Sequence, residues 1–377
     1  MTHRLSDHIA SFPTAYHAIL ERIDAIDPIA YGRTRNYVDG AVTYLSPYLS
    51  RGVISPRFVL NRVLAKGYDP ATIEKFIQEL TWREYWQQVW IAKGSCIDHD
   101  LKHPQHGVQH HELPTAIFEA RTGIQAVDEA IAGLYRTGYM HNHLRMYVAS
   151  IACNIAGSHW RTPAKWLYYH LWDGDWASNA LSWQWVAGTN SNKQYRANQE
   201  NINKYCYTHQ TGTFLDVSYE RLPQLTCPEV LKEHTDPTLH TPLPEPKPLT
   251  LDPNLPTYIY NAYNLDPLWG TDAPANRVLL LEPEHFEAYP ISERSVAFLL
   301  NLTHNIENLQ VFVGSFDTLK TNHALTDIRY KEHPWSRHYT GTETPRAWLF
   351  DVHGYYPSFF AYWKRCKKQF NTLATVV

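Results

Sequence analysis

Residues 137–188, TGYMHNHLRMYVASIACNIAGSHWRTPAKWLYYHLWDGDWASNALSWQWVAG, decide the reading of this chain. Apolar residues recur there every three or four positions, with turn signals between, which predicts helices over 139–157, 163–172 and 175–187. Thr162 followed by Pro163 marks one helix start. On a helix beginning near Gly138, Asn142, Arg145 and Met146 fall at i, i+3 and i+4 and share a face. Asp175, Asn179 and Trp183 fall at i, i+4 and i+8 on a second stripe, with Asp173 just before the helix start, where a carboxylate is favoured. A carboxylate, an amide and an indole in line are not core composition. The plain structural alternative is that Asp173 caps its helix and pairs with Arg145, as happens in many helical proteins.

Outward from this stretch the helical spacing continues over 56–66, with Pro56 after Ser55, and over 71–92 and 124–135. Nine prolines within residues 222–256 rule out helix or central strand there and predict a linker or extended strap. Beyond it the pattern changes to RVLLLEP (277–283), a helix over 292–306 and LQVFVGSF (309–316), a β-α-β unit whose default is a parallel pair. RAWLFDV (346–352) is expected as a third strand, followed by a terminal helix at 357–370. The expected organisation is a mainly α-helical domain over 1–215, a Pro-rich linker or strap over 216–275, and a small α/β domain over 276–377.

The chain has 377 residues, 44% hydrophobic and 19% charged, which excludes a disordered chain, a collagen and a disulfide miniprotein. No stretch approaches the ~20 uncharged apolar residues of a membrane span, and the start, MTHRLSDHIASF, lacks the apolar run of a signal peptide. A soluble cytoplasmic protein is therefore expected. Its five cysteines are scattered without a CxxC pair, so neither a disulfide framework nor a cysteine-bound cluster is signalled. Residues 1–216 hold 20 Lys and Arg against 19 Asp and Glu, a net charge of +1, and the remainder holds 14 against 18. Neither part is the strongly basic surface of a protein that grips nucleic acid mainly through phosphates. GxGxxG, GxxxxGK[ST] and HExxH are all absent. His99, His103, His106, His110 and His111 cluster, but Pro104 interrupts them and no fixed ligand frame is apparent, so a solvated loop and no metal is the expectation.

The 14% of aromatic residues, 13 of them Trp, suggests rings used for more than filling space. A face carrying Arg145 and Asn142 beside a stripe of Asp175 and Asn179 suits a ligand with several hydrogen-bonding edges and a large apolar area, and a flavin has both. TGYMHNHLRMYVAS, the spacing from Trp160 to DGD, and DGDWASNALSWQWVAGT resemble the FAD-binding domain of the photolyase/cryptochrome family. LSPYLSRGVISPR (45–57) resembles that family's phosphate-binding loop, and IQELTWREYW (77–86) its substrate-side helix. The resemblance covers roughly residues 30–190. It implies a mainly α-helical FAD-binding domain plus the small C-terminal α/β domain.

Residue by residue, the resemblance implies that Tyr31, Thr43 and Ser46 bind the FAD pyrophosphate. Arg83, Asn142, Arg145, Asp173 and Asp175 would hold the isoalloxazine and ribityl groups, Asn179 would lie beside flavin N5, and Trp183 and Trp160 would conduct electrons. Glu79, Trp82, Met146 and Trp185 match the set that holds a flipped-out cyclobutane pyrimidine dimer, with the two indoles as stacking walls. The implied function is light-driven repair of such dimers in DNA; the low net charge of residues 1–216 and His143 add the expectation of a preference for single strands. The rival is a blue-light photoreceptor that signals to a protein partner without repair.

The sequence also departs from the family. Motif residues start by Tyr31, which implies no antenna domain before them, and the antenna pigment stays unassigned. The family's surface tryptophan would fall within 107–111, where there is none. His143 stands where photolyases commonly carry an arginine, and the text after Gly188 diverges from the DNA-side segment. Residues 276–370 are read as a relocated α/β layer in place of the antenna domain.

Overall fold

The computed structural model describes residues 12–370; the N-terminal stretch read above for a signal sequence lies almost wholly outside them. After helical segments at Tyr16–Asp24 and Pro28–Thr34, the helices that position the site are α1 (Ser46–Ser50), α2 (Pro56–Leu64), α3 (Glu74–Lys93), α4 (Gln125–Thr137), α5 (Asn142–Ser150), α6 (Arg161–His170) and α7 (Trp176–Ala187). After the strap come α8 (Glu293–Leu302), α9 (Phe316–Asn322) and α10 (Phe359–Cys366). The strands are β1 (Leu113–Pro114), β2 (His234–Thr235), β3 (Thr257–Tyr260), β4 (Asn276–Leu281), β5 (Leu309–Val313), β6 (Ile328–Lys331) and β7 (Thr342–Thr344). The helical domain and the α/β layer are thus both present.

The described residues pack as two units. One comprises Arg33–Val42 and Lys93–Leu239; the other comprises Phe12–Gly32, Thr43–Ala92 and the chain from His240 onward. The first is built of α4 to α7, with β1 and β2 pairing antiparallel. Its core is aromatic and aliphatic, with Trp160, Trp166 and Trp176 fully buried. The predicted helix over 139–157 is α5 followed by a π-helical turn at Ile151–Ile155.

In the second unit the five strands β5-β4-β3-β6-β7 form one sheet, every pair parallel. The chain starts at the centre with β3, winds outward through β4 and β5, then returns to build the other half. This is the doubly wound arrangement, with its switch point between β3 and β6. Ile259, Val278, Leu280, Phe316, Leu319 and Ile328 pack together as the core of this layer. At the carboxyl ends of β3 and β4, Glu282 accepts hydrogen bonds from His338, Tyr339, Trp335 and the Phe316 N–H.

One strand assignment is corrected. Residues 346–352 form no strand, because their backbone groups are satisfied by side chains: Leu349 N–H donates to Glu84 Oε1 at 2.7 Å, and Arg57 Nη2 donates to Leu349 O at 3.2 Å. The sheet instead uses β3, hidden behind Pro256, together with β6 and β7.

Candidate functional site

Gly138 shapes the local structure from which the site grows. It ends α4 in the left-handed region, at φ 67°, and a Cβ there would lie 2.3 Å from the Trp172 ring. Only glycine meets both demands. Trp172 N–H donates to Gly138 O at 2.9 Å, so the loop before α7 is tied to the residues that open α5. Asp173 is thereby brought to Arg145: Nη2 lies 2.9 and 3.1 Å from its two carboxylate oxygens. Arg145 Nε donates to Met140 O at 2.8 Å, which fixes the guanidinium from behind. Asp173 is buried and Arg145 largely so.

Asp175 caps α7, its Oδ1 accepting from Ser178 N–H at 2.7 Å. One turn on, half-buried Asn179 donates through Nδ2 to Ala164 O at 2.8 Å, which sets the plane of its amide. Asn142 is exposed at the start of α5, and Met146 is half-buried on the same face. Trp183 and Trp160 are buried. The Trp160 indole N–H donates to Asp100 Oδ1 at 2.7 Å, and His159 Nε2 lies 3.1 Å from the same oxygen. Trp185 presents an exposed indole, with Tyr195 at 5.9 Å.

The remaining predicted residues belong to the second unit. Tyr31 packs edge-on against Phe76, Thr43 Oγ1 accepts from Leu45 N–H at 3.4 Å, and Ser46 opens α1. Arg83 donates to Ser50 Oγ at 2.9 Å, and Glu79 pairs with Lys75 at 2.7 Å. Trp82 is not an open wall: the Phe359 ring lies flat against it, centroids 3.7 Å apart and planes within 10°. Phe360 and Trp86 approach it at 6.5 and 5.2 Å.

Sequence reasoning missed Asp100 and Phe359. Asp100 sits in a loop with no pattern to expose it; the Phe359-Phe360 pair in a terminal helix was the available signal. His143 also has a role of its own. Its ring packs on Tyr147 and Tyr205, and Nδ1 lies 2.9 Å from Asn36 O. Burial holds its pKa below the usual histidine value, so at neutral pH it carries no charge for a phosphate. The solvated-loop reading fails for His110, whose side chain is only 9% exposed.

A buried guanidinium–carboxylate pair, a capping carboxylate and an oriented amide at one helix start offer donors and acceptors to the edge of a polar ring system. That set fits an isoalloxazine. The family described as the FAD binding domain of DNA photolyase matches residues 76–217. Deoxyribodipyrimidine photo-lyase of Streptomyces griseus is 34% identical over 167 residues, 42% of this chain and 36% of that protein. Cryptochrome DASH of Danio rerio is 33% identical over 171 residues, 42% of this chain and 32% of that protein. This chain thus spans about a third of the length of the curated relatives it matches. The crystal structure of a Synechocystis sp. PCC6803 cryptochrome aligns with a TM-score of 0.46 at 26% identity, over 52% of this chain and 44% of that one. Over residues 76–217 the chain matches the FAD-binding domain of DNA photolyase, and FAD is the cofactor of that domain.

Proposed function

We propose that this photolyase-related flavoprotein works in the cytoplasm and repairs cyclobutane pyrimidine dimers in DNA, single strands before duplex. The supporting observation is the Arg145–Asp173 pair beside the capped start of α7, within a segment that matches the family's FAD domain. Tyr31, Thr43 and Ser46 would hold the pyrophosphate of FAD. Arg83, Asn142, Arg145, Asp173 and Asp175 would hold its ring and ribityl chain, with Asn179 next to N5. Reduced and illuminated, the bound cofactor supplies the electron that opens the cyclobutane ring.

The chain's own residues then orient and shield. Arg145 and Asp173 keep opposite charges fixed at the ring edge, so little reorganisation is needed when charge moves. Trp183, on α7, and Trp160, just before α6, are buried indoles that would donate single electrons. For the lesion, Trp185 offers an exposed stacking face, Met146 an apolar wall and Glu79 an acceptor for a pyrimidine edge. The single-strand preference follows from a weak phosphate grip. His143 is packed and neutral, and residues 1–216 carry a net charge of only +1. Extruding a paired base costs a few kcal/mol, which a single strand does not demand.

One observation favours a second reading. Phe359 already covers Trp82, as a photoreceptor that has given up its lesion pocket would allow. The deciding experiment illuminates reduced protein with dimer-containing single-stranded and duplex oligonucleotides. Dimer loss, faster in the single strand and with a shallow salt dependence, is expected. A protein that holds FAD fully and splits neither substrate is the photoreceptor.

A further inference from the structure

A second cluster lies in the first unit, apart from the residues assigned to FAD and DNA. His110 and Glu112 share one loop and His234 lies far along the chain, yet each offers a ligand atom within 4.8 Å of the others. Backbone pairing dictates the meeting. β1 and β2 set Pro114 opposite His234, and Thr115 N–H donates to Glu233 O at 2.8 Å. Leu113 and Leu231, both fully buried, anchor the two segments. His110 is held from the other side, with Gln109 N–H on Gly157 O and His159 N–H on His110 O, each at 2.8 Å.

The Ala156 carbonyl sets the tautomer of the neutral His110 ring. Nε2 lies 3.2 Å from Ala156 O, and a carbonyl can only accept, so Nε2 carries the proton. Nδ1 is then a bare lone pair. It is buried without a hydrogen bond, and its nearest charged neighbour is Glu112 Oε2 at 3.4 Å, another acceptor. Either a proton on Nδ1 or a cation between the two atoms would join them. The His234 ring stacks on His110 with centroids 3.4 Å apart, so it must turn out of that stack to aim a nitrogen at the same point. A backbone carbonyl on the far nitrogen is also how proteins fix the tautomer of a metal-bound histidine.

We propose that His110 Nδ1, the Glu112 carboxylate and the His234 imidazole bind a divalent first-row transition ion, with Zn²⁺ as the best match. Two imidazoles and a carboxylate suit zinc far better than magnesium or calcium, which take oxygen ligands. Ligand atoms around tetrahedral zinc stand about 3.3 Å apart. His110 is fixed, while Glu112 and His234 are exposed and can swing in to that spacing. The bound ion would clip the β2 segment of the strap to the loop at 110–112.

The test titrates metal-stripped full-length protein with Zn²⁺ by calorimetry and with Co²⁺ by visible absorption. One ion per chain is expected, with His234→Ala and Glu112→Gln each weakening binding at least about tenfold. Both positions are exposed, so folding should persist, as circular dichroism would verify. His103→Ala and His106→Ala should bind as the parent does. The proposal is overturned by a lack of saturable binding, by parent-like affinity in either His234→Ala or Glu112→Gln, or by loss confined to the other loop histidines.

Discussion

Glu84, on α3 against the C-terminal segment, should make the protein less stable as pH rises through neutrality. Its side chain is buried, Oε1 accepts from Leu349 N–H at 2.7 Å, and Oε2 is buried with no partner. Burial pushes its pKa from 4.5 up to about 8, against the smaller pull of the Leu349 N–H, Arg346 and Arg57. The folded state therefore keeps a proton that the unfolded chain releases at 4.5. Stability from this group is complete below that pH, falls by about 1.4 kcal/mol per pH unit above it, and levels off above about 8. Over the whole window the loss comes to about 5 kcal/mol. Glu84→Gln removes the slope but places an amide NH₂ where Oε2 lacks a partner, at a cost of about 1–3 kcal/mol. The variant should be less stable than the parent at pH 5 and more stable by about 2–4 kcal/mol at pH 8.5. Urea denaturation of both proteins between pH 5 and 9 measures the difference, in which all other titrating groups cancel. Two parallel pH profiles would refute the argument.

Asp173→Ala leaves the Arg145 guanidinium largely buried and unpaired, a loss of about 3–5 kcal/mol; the purified variant should be colourless, and full flavin absorbance at matched protein concentration would sink the site assignment. Gly138→Ala forces a Cβ into the Trp172 ring at positive φ and should cost about 2–4 kcal/mol while lowering flavin content, since the loop that carries Asp173 must move. Normal stability in that variant would show that the contact is readily relieved. Phe359→Ala removes a buried ring stacked on Trp82 and should destabilise by about 3–5 kcal/mol in urea. If Trp82 can receive a base, the same variant should also bind single-stranded DNA more tightly; unchanged affinity assigns Trp82 to the core.

The helices around residues 137–188 were legible because their signals are local: apolar spacing at 3.6 residues, with Ser55-Pro56 and Thr162-Pro163 as start signals. The same locality exposed the β4-α8-β5 unit. Tertiary structure alone decided what depends on distant chain meeting distant chain. Four residues after a proline became the central strand β3, because parallel neighbours on both sides complete its hydrogen bonds. Residues 346–352 look like a strand by composition yet are not one, because Glu84 and Arg57 satisfy their backbone first. Phe359 took the face of Trp82, and His234 arrived beside His110, through contacts that no periodicity encodes. Periodicity reports which face of an element is apolar. The partner of that face is set by chain closure and packing, which a one-dimensional pattern does not contain.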